Sequence, residues 1–359
     1  MDGLRPLVAR IPRMRNRTFR WLLLFFSSTA LPLCGKAQSW EVVRSGSDTS
    51  LRGVSVALYR HGRATVWASG SNGVVMVSID GGKRWQRRTV RGGESLDFRG
   101  VAGFGRSTAY LISSGEGAKS RIYKTTDGGG SWKLQYSLER KESFLDAIGC
   151  LSETECYALG DPMDGKFVLL ETKDGEHWER LTADGLRSLP EEGAFAASNS
   201  CLSVDRHTGI YFVTGGPAAR MFHSADRGKT WRVTDIPVAK GNASSGAFSV
   251  AVEGNTIVIA GGDYRDPQKS AGSVAYSTDG GLTWNRPEVR PNGFRSAVAS
   301  VEGPRFVTVG TSGSEFSDDN GAHWKHAGSL NLNAVEVRGV SGIWAVGANG
   351  TVAKFHYPR

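Results

Sequence analysis

The stretch YSTDGGLTW, residues 276–284, sets an aspartate between a hydroxyl residue and two glycines, with a tryptophan just beyond. An acidic side chain in so tight a turn could ligate a cation, act as a general acid or base, or satisfy the turn's own amides. Recurrence separates these options. Ser/Thr-x-Asp-x-Gly-x-x-Trp occurs as SIDGGKRW (78–85), TTDGGGSW (125–132), SADRGKTW (224–231), STDGGLTW (277–284) and SDDNGAHW (317–324), and a shorter copy, TKDGEHW, ends at Trp178. Chemistry needs one special site. Carboxylates repeated along the chain, at Asp80, Asp127, Asp174, Asp226, Asp279 and Asp319, therefore read as scaffold. Each Asp can accept turn N–H groups, the glycines can take positive φ, and the Trp can bury against a sheet.

The residues left for chemistry are those the repeat does not explain. LRGV, FRGV and FRSAV put Arg52, Arg99 and Arg295 at what read as equivalent positions, and LDAIG puts Asp146 there. With Asp161, Asp164, Lys166, Glu192, Arg220, Asp263 and Tyr264 they would form a mixed-charge basin. Two readings stay open. One is an ion-paired ring that serves stability, since buried charges must be paired. The other is a site for an anionic or hydroxyl-rich ligand formed by Arg52, Arg99, Asp146, Lys166, Arg220, Asp263, Tyr264 and Arg295, because guanidinium is a planar, permanently charged fork. A catalytic alternative pairs Asp161 or Asp164 with Glu192 or Asp263, beside Tyr264, as the two carboxyls of a glycoside hydrolase or lyase. Facing carboxyls beside an open pocket would favour the enzyme, and carboxyls locked onto arginines would favour binding.

Other chemistry finds no support. The seven His lack metal-ligand spacing, so no metal is expected. GEGAKS lacks the GxxxxGK[ST] pattern of a phosphate-binding loop, no GxSxG elbow exists, and no cofactor is expected. The tripeptide RIP (10–12) matches one found in sialidases, but here it precedes an apolar leader. The formal charge of +9 suggests nucleic acid only until its location is noted. Residues 1–37 hold seven Lys/Arg and one Asp, so the rest of the chain is near neutrality and no nucleic-acid partner is expected.

The elements that position these residues follow from the repeat. Successive box tryptophans, from Trp85 to Trp324, are 40 to 53 residues apart, the size of one supersecondary unit. The first unit reads as four short strands, LRGVSVAL (51–58), ATVWASG (64–70), VVMVS (74–78) and WQRRTV (85–90). Such units stack radially as propeller blades. Six box tryptophans close six blades. The C-terminal NAVEVRG, IWAVGANG and TVAKFHYPR supply three strands without a fourth, and SWEVVRSG near the N-terminus supplies a fourth without the rest. An all-β, seven-bladed β-propeller over residues 38–359 is expected, its last blade completed by the N-terminal strand with Trp40 in the missing box position. The boxes and first-to-second loops would share one face. The opposite face would carry GDPMDGKF (160–167), ADGLRSLPEEGAFAASNS (183–200) and GGDYRDPQKSAGS (261–273), where the repeat is broken and binding is expected.

Ahead of this domain, six arginines precede the apolar run Trp21–Leu33 and the small residues Gly35 and Ala37. This reads as a signal peptide cleaved after Ala37, hence a periplasmic or secreted protein. No apolar run is long enough for a transmembrane span. Cys150 and Cys156 flank LSETE between two strand-like runs and are expected as a disulfide, with Cys201 free.

FRGVAGF, WASGSNGVV, STDGGLTW and WAVGANGTVAKF, with the boxes, resemble the BNR/Asp-box seven-bladed propellers of the photosystem II assembly-factor family. GDPMDGKFVLLET, GAFAASNSCL, GGDY and GFRSAV are similar to a bacterial branch of such propellers. The resemblance implies a monomeric, non-catalytic binding or assembly factor with an arginine-rich partner face, to which Arg52, Arg99 and Arg295 correspond. Its partner would be an envelope protein or an anionic or carbohydrate ligand. The alternative is a sialidase-like glycoside hydrolase.

Overall fold

The computed structural model describes residues 39–58 and 64–356, so the leader, residues 1–37, lies outside the described residues. Seven four-stranded antiparallel sheets make up the described chain. Their inner strands are Leu51–Leu58, Phe98–Phe104, Leu145–Cys150, Leu202–Asp205, Asn242–Glu253, Ala297–Glu302 and Leu332–Val337, in blades 1 to 7. Second and third strands are nearly all buried, as in Ala64–Gly70 and Val75–Ser78. Their Val, Ile, Leu and aromatic side chains fill the space between neighbouring sheets. Among the described residues no helix is long and apolar enough to cross a membrane.

The ring closes through the composite blade. Ser39–Arg44 lies antiparallel to Thr351–His356, with Trp40 opposite Phe355. The two rings sit 4.9 Å apart, and Trp40 Nε1 donates to Ser314 Oγ of blade 6 at 2.8 Å. The N-terminal strand thus covers a sheet edge and fastens it to the neighbouring blade.

Five of the six acidic boxes make the same turn, and the Asp174 box, one residue shorter, makes a tighter version of it. In STDGGLTW, Ser277 Oγ donates to Asp279 Oδ1 at 2.7 Å and accepts from Gly281 N at 2.8 Å, while Thr283 N donates to Asp279 Oδ1 at 2.9 Å. The Asp80, Asp127, Asp226 and Asp319 turns repeat this arrangement. Backbone and side-chain donors hold the carboxyls low, at about 2 for Asp80, Asp127 and Asp226. The box tryptophans join blades: Trp85 meets Trp344 of blade 7, Trp132 meets Trp67 of blade 1, and Trp178 meets Tyr110 of blade 2. Gly82 (φ +85°) permits that contact, because a Cβ there would reach Trp344 at 2.2 Å.

Two features depart from the expected regular blade. The outer strand of blade 5 is reduced to Asn285, which exchanges hydrogen bonds of 3.0 and 2.8 Å with Tyr276. Pro287 has no N–H to continue the ladder, and the chain crosses instead to blade 6, where Trp324 N donates to Val289 O. In addition, Gly215–Gly216 pairs with the start of the long inner strand of blade 5. Cys150 and Cys156 are direct cross-strand partners joined as a disulfide, and Cys201 is free and buried.

Candidate functional site

A shared irregularity builds the channel mouth on the face opposite the boxes. A one-residue bulge interrupts each inner strand of blades 1, 2, 3, 5 and 7, after the first pair in blades 1, 2, 3 and 7 and after the third in blade 5. The extra residues are Arg52, Arg99, Asp146, Phe248 and Asn333. A bulge re-aims one side chain without disturbing the rest of the strand. All five line a single cavity of about 670 Å³, together with Asp161, Ala194–Ala197, Tyr264, Phe294, Ser296 and Asn331, among others.

The charged sector spans blades 1 to 3. Arg99 Nε donates to Asp97 Oδ2 at 2.7 Å, and its Nη1 donates to Ala196 O at 3.0 Å. The Arg52 Nε is buried and has no hydrogen-bond partner. Burial and the neighbouring Arg99 pull the Arg52 pKa down, against the opposing charge of Asp97. Asp146 is 1% exposed, and neither of its carboxyl oxygens has a hydrogen-bond partner. Burial, reinforced by Asp161, raises its pKa well above the carboxylate range, and Arg99 only partly offsets this. Burial also raises Asp161 to about 6, although Ala194 N donates to its Oδ1 at 2.9 Å. Gly193 allows that approach, since a Cβ there would meet Asp161 Oδ1 at 2.9 Å.

Across the mouth stands an aromatic wall. Phe195 stacks on Phe248 at 3.8 Å between centroids, Phe294 meets Phe248 edge-on at 4.8 Å, and Tyr264 caps the group while remaining 46% exposed. Asn333 Nδ2 of blade 7 is tied to Leu51 O of blade 1 at 2.8 Å.

The structure divides the residues singled out in the sequence. Arg52, Arg99, Asp146, Asp161 and Tyr264 come together at the cavity. Arg295 does not share their position. Gly310 packs on the Cα of Arg295 as Gly70 packs on that of Leu51, so Arg295 corresponds to Leu51 and Ser296 to Arg52. One residue of register turns the side chain from the channel into the space between blades. Arg295 is there 0% exposed, with Nε and Nη2 each donating to Glu315 at 2.6 Å. Arg220 is likewise committed, to Glu192, which also accepts from Thr214 Oγ1 at 2.6 Å and Leu189 N at 2.8 Å. Asp164 pairs with Arg140, and Lys166 with Asp184. Asp263 accepts from Arg265 N at 2.9 Å and Asn242 Nδ2 at 3.1 Å. None of these six predicted residues, Arg295, Arg220, Glu192, Asp164, Lys166 and Asp263, lines the cavity, so the expected facing pairs built from Asp164, Glu192 or Asp263 do not form there. Among the described residues no group of three His, Cys, Asp or Glu could hold a metal ion.

Of the aromatic wall only Tyr264 was anticipated, and Phe248 and Asn333 were not. Their signal lay in aligning GAFSV (246–250) and LNAV (332–335) with LRGV and LDAIG, which sets Phe248 and Asn333 level with Arg52 and Asp146.

Comparison with known proteins agrees with this architecture. The family model described as BNR/Asp-box repeat matches residues 275–286. The photosystem II assembly lipoprotein Ycf48 of Synechococcus sp. (strain CC9902) is 24% identical over 245 residues, 65% of this chain and 62% of that protein. The match thus spans under two thirds of that relative's length. A solved structure titled YCF48 bound to D1 peptide superposes with a TM-score of 0.62 at 15% identity, covering 89% of this chain and 97% of that one. YCF48 from Cyanidioschyzon merolae gives 0.65 at 16% identity, covering 89% and 99%. The Pan2 WD40 domain of Neurospora crassa gives 0.59 at 12% identity, covering 90% and 97%. The chain is a seven-bladed β-propeller that carries a BNR/Asp-box repeat and is similar to the photosystem II assembly factors.

Proposed function

We propose that this assembly-factor-like propeller is an exported, non-catalytic binding protein that takes a segment of a protein partner at the channel mouth opposite the Asp-boxes. One observation carries the reading. Polar groups of Arg52 and Asp146 are buried without partners, and both residues line the same open cavity. Buried polar groups are normally satisfied within the protein, so an unsatisfied cluster at an open mouth is arranged for something that arrives. Arg52 and Arg99 would receive a carboxylate, and the aromatic wall an apolar side chain. One structural neighbour is described as bound to a D1 peptide, which supports a peptide as the class of ligand. The disulfide supports an oxidising compartment, as does the leader.

Panning a random hexapeptide library on the purified protein tests this reading. The wild type should enrich a set of sequences and the Arg52→Gln/Arg99→Gln variant should not. Equal recovery by both would refute it.

A second reading, glycoside hydrolysis, is favoured by one fact. Two carboxyls with raised pKa, Asp146 and Asp161, line one cavity. Asp146 would be the protonated acid and Asp161 the ionised partner at neutral pH. Turnover of a panel of chromogenic glycosides, lost in Asp161→Asn, would decide for it.

A further inference from the structure

The polarity of the mouth is ordered around the ring. Arg52 and Arg99 occupy blades 1 and 2, Asp146 and Asp161 blade 3, and Phe248, Tyr264 and Phe294 the far side with Phe195. Arg99 is partly neutralised by Asp97. Among the described residues no cation forms an ion pair with Asp146 or Asp161. Asp146 accepts no hydrogen bond, and Asp161 accepts one backbone N–H. The titratable and charged groups that act on Asp146 are Asp161 on its own sheet, Arg99 from blade 2, and the buried thiol of Cys201, the residue before the inner strand of blade 4. None of these donates a hydrogen bond to it.

We infer that Asp146 and Asp161 form a receptor for a cationic group, so that the partner segment carries a Lys or Arg side chain beside the carboxylate taken by Arg52 and Arg99. This rests on the proposed peptide-binding role of the mouth and names what the peptide must contain. An ammonium or guanidinium supplies what the Asp146 oxygens lack, several donors and a positive charge, in a site where water is partly excluded. A purely anionic ligand would leave these oxygens unpaired and bring a like charge toward Asp161. A dipolar segment matches both sectors, with its remaining apolar surface against the phenylalanines. Burial favours the protonated form of Asp146 and an arriving cation favours the ionised form, so binding of the cation should be linked to proton release.

The test uses the sequences recovered from the random hexapeptide library. Those bound by the wild type should pair an acidic group with Lys or Arg within a few residues. In the best of them, replacing that Lys or Arg by norleucine should weaken binding about tenfold or more. Asp146→Asn should abolish the difference between the charged and norleucine peptides while keeping the requirement for the acidic group. Calorimetry at neutral pH in two buffers of different ionisation enthalpy should find proton release for the wild type and none for Asp146→Asn. Should Asp146→Asn fail to fold, Asp161→Asn makes the same comparison from a half-buried position and should shrink the difference. Equal binding of the norleucine peptide, or discrimination that persists undiminished in the Asn variants, overturns the inference while leaving the mouth as a peptide site. Failure of the wild type to enrich any sequence removes the binding role and this inference with it.

Discussion

Arg99 and Arg295 both follow a phenylalanine at the channel rim, and the fold treats them in opposite ways. Arg99 sits on a bulge, its side chain 29% exposed, and holds one half-exposed carboxylate and one carbonyl. Arg295 stands one register position earlier, 0% exposed. Its Nε and Nη2 bind Glu315, Nη2 also binds Asn292 O at 2.9 Å, and Nη1 binds Phe294 O at 2.7 Å and Ser312 Oγ at 2.8 Å. Guanidinium has five N–H donors, and those five bonds use all of them. Blade 6 therefore fills its inner rim with a finished ion pair, whereas blades 1 to 3 leave unfinished polar groups at theirs. The same residue type is a strut in one sector and a contact in the other, and the side chain's register decides which.

The largest effect expected is on the strut. Arg295→Gln strands Glu315 as a buried, unpaired carboxylate, and breaking such a pair typically removes about 3–5 kcal/mol. Urea unfolding of Arg295→Gln and Glu315→Gln should each show a loss of this size. A variant within about 1 kcal/mol of wild type would mean that the pair is not a strut, and the contrast with Arg99 would fail.

The carboxyl sector should behave in the reverse sense, gaining stability when its charge is removed. The folded pKa of Asp161, about 6, lies above the unfolded value of about 4. The folded state thus binds the proton more tightly, and stability falls as pH rises from about 4 to about 6. Burial raises the Asp146 pKa in the same sense, so its ionisation adds to the loss. Asp161→Asn should match the wild type near pH 4 and exceed it at pH 8, by about 1–3 kcal/mol. Urea titrations at the two pH values check this. A variant less stable at pH 8 would show the carboxylate to be held by its cationic neighbours, as Glu315 is.

The contrast also shows where sequence reasoning stops. The ring, its composite blade and the scaffold role of the acidic boxes were legible because each is a repeat, and a repeat fixes both period and face. The recruitment of Arg52, Arg99 and Asp146 to one rim was legible for the same reason. Arg295 was misplaced because FRSAV carries one more residue than FRGV between Arg and Val, and only the pairing of Ala297 with Val309 shows which residue takes the bulge. The commitments of Glu192 to Arg220 and of Asp164 to Arg140 join residues 28 and 24 apart across irregular loops, where no periodicity reports distance. The leader falls outside the described residues.

A smaller loss of stability is expected at the boxes. Asp279→Ala removes the acceptor of Leu282 N, Thr283 N and Ser277 Oγ. The turn is open to solvent, which can replace part of what is lost, and five other boxes remain. The melting temperature should fall, though by less than in Arg295→Gln, and peptide recovery from the hexapeptide library should not change. A variant as stable as wild type that has lost binding would move the site to the box face and dissolve the contrast between the two rims.

The smallest effect on stability is expected from the residue most important to binding. The side chains of Arg99 and Asp97 are 29% and 27% exposed, and pairs so open to water are worth about 0–1 kcal/mol. Arg99→Gln should therefore unfold within about 1 kcal/mol of wild type. It should keep a hydrogen bond toward Ala196 O through its amide but lose the charge that faces the cavity. Peptides selected on the wild type should bind it more weakly, and most of the loss should vanish when their acidic residue is replaced by its amide. That last comparison isolates the guanidinium–carboxylate contact from any general disturbance of the mouth. If Arg99→Gln destabilises as much as Arg295→Gln and its folded fraction still binds, Arg99 is a second strut and the unfinished rim is only a ring of structural charges.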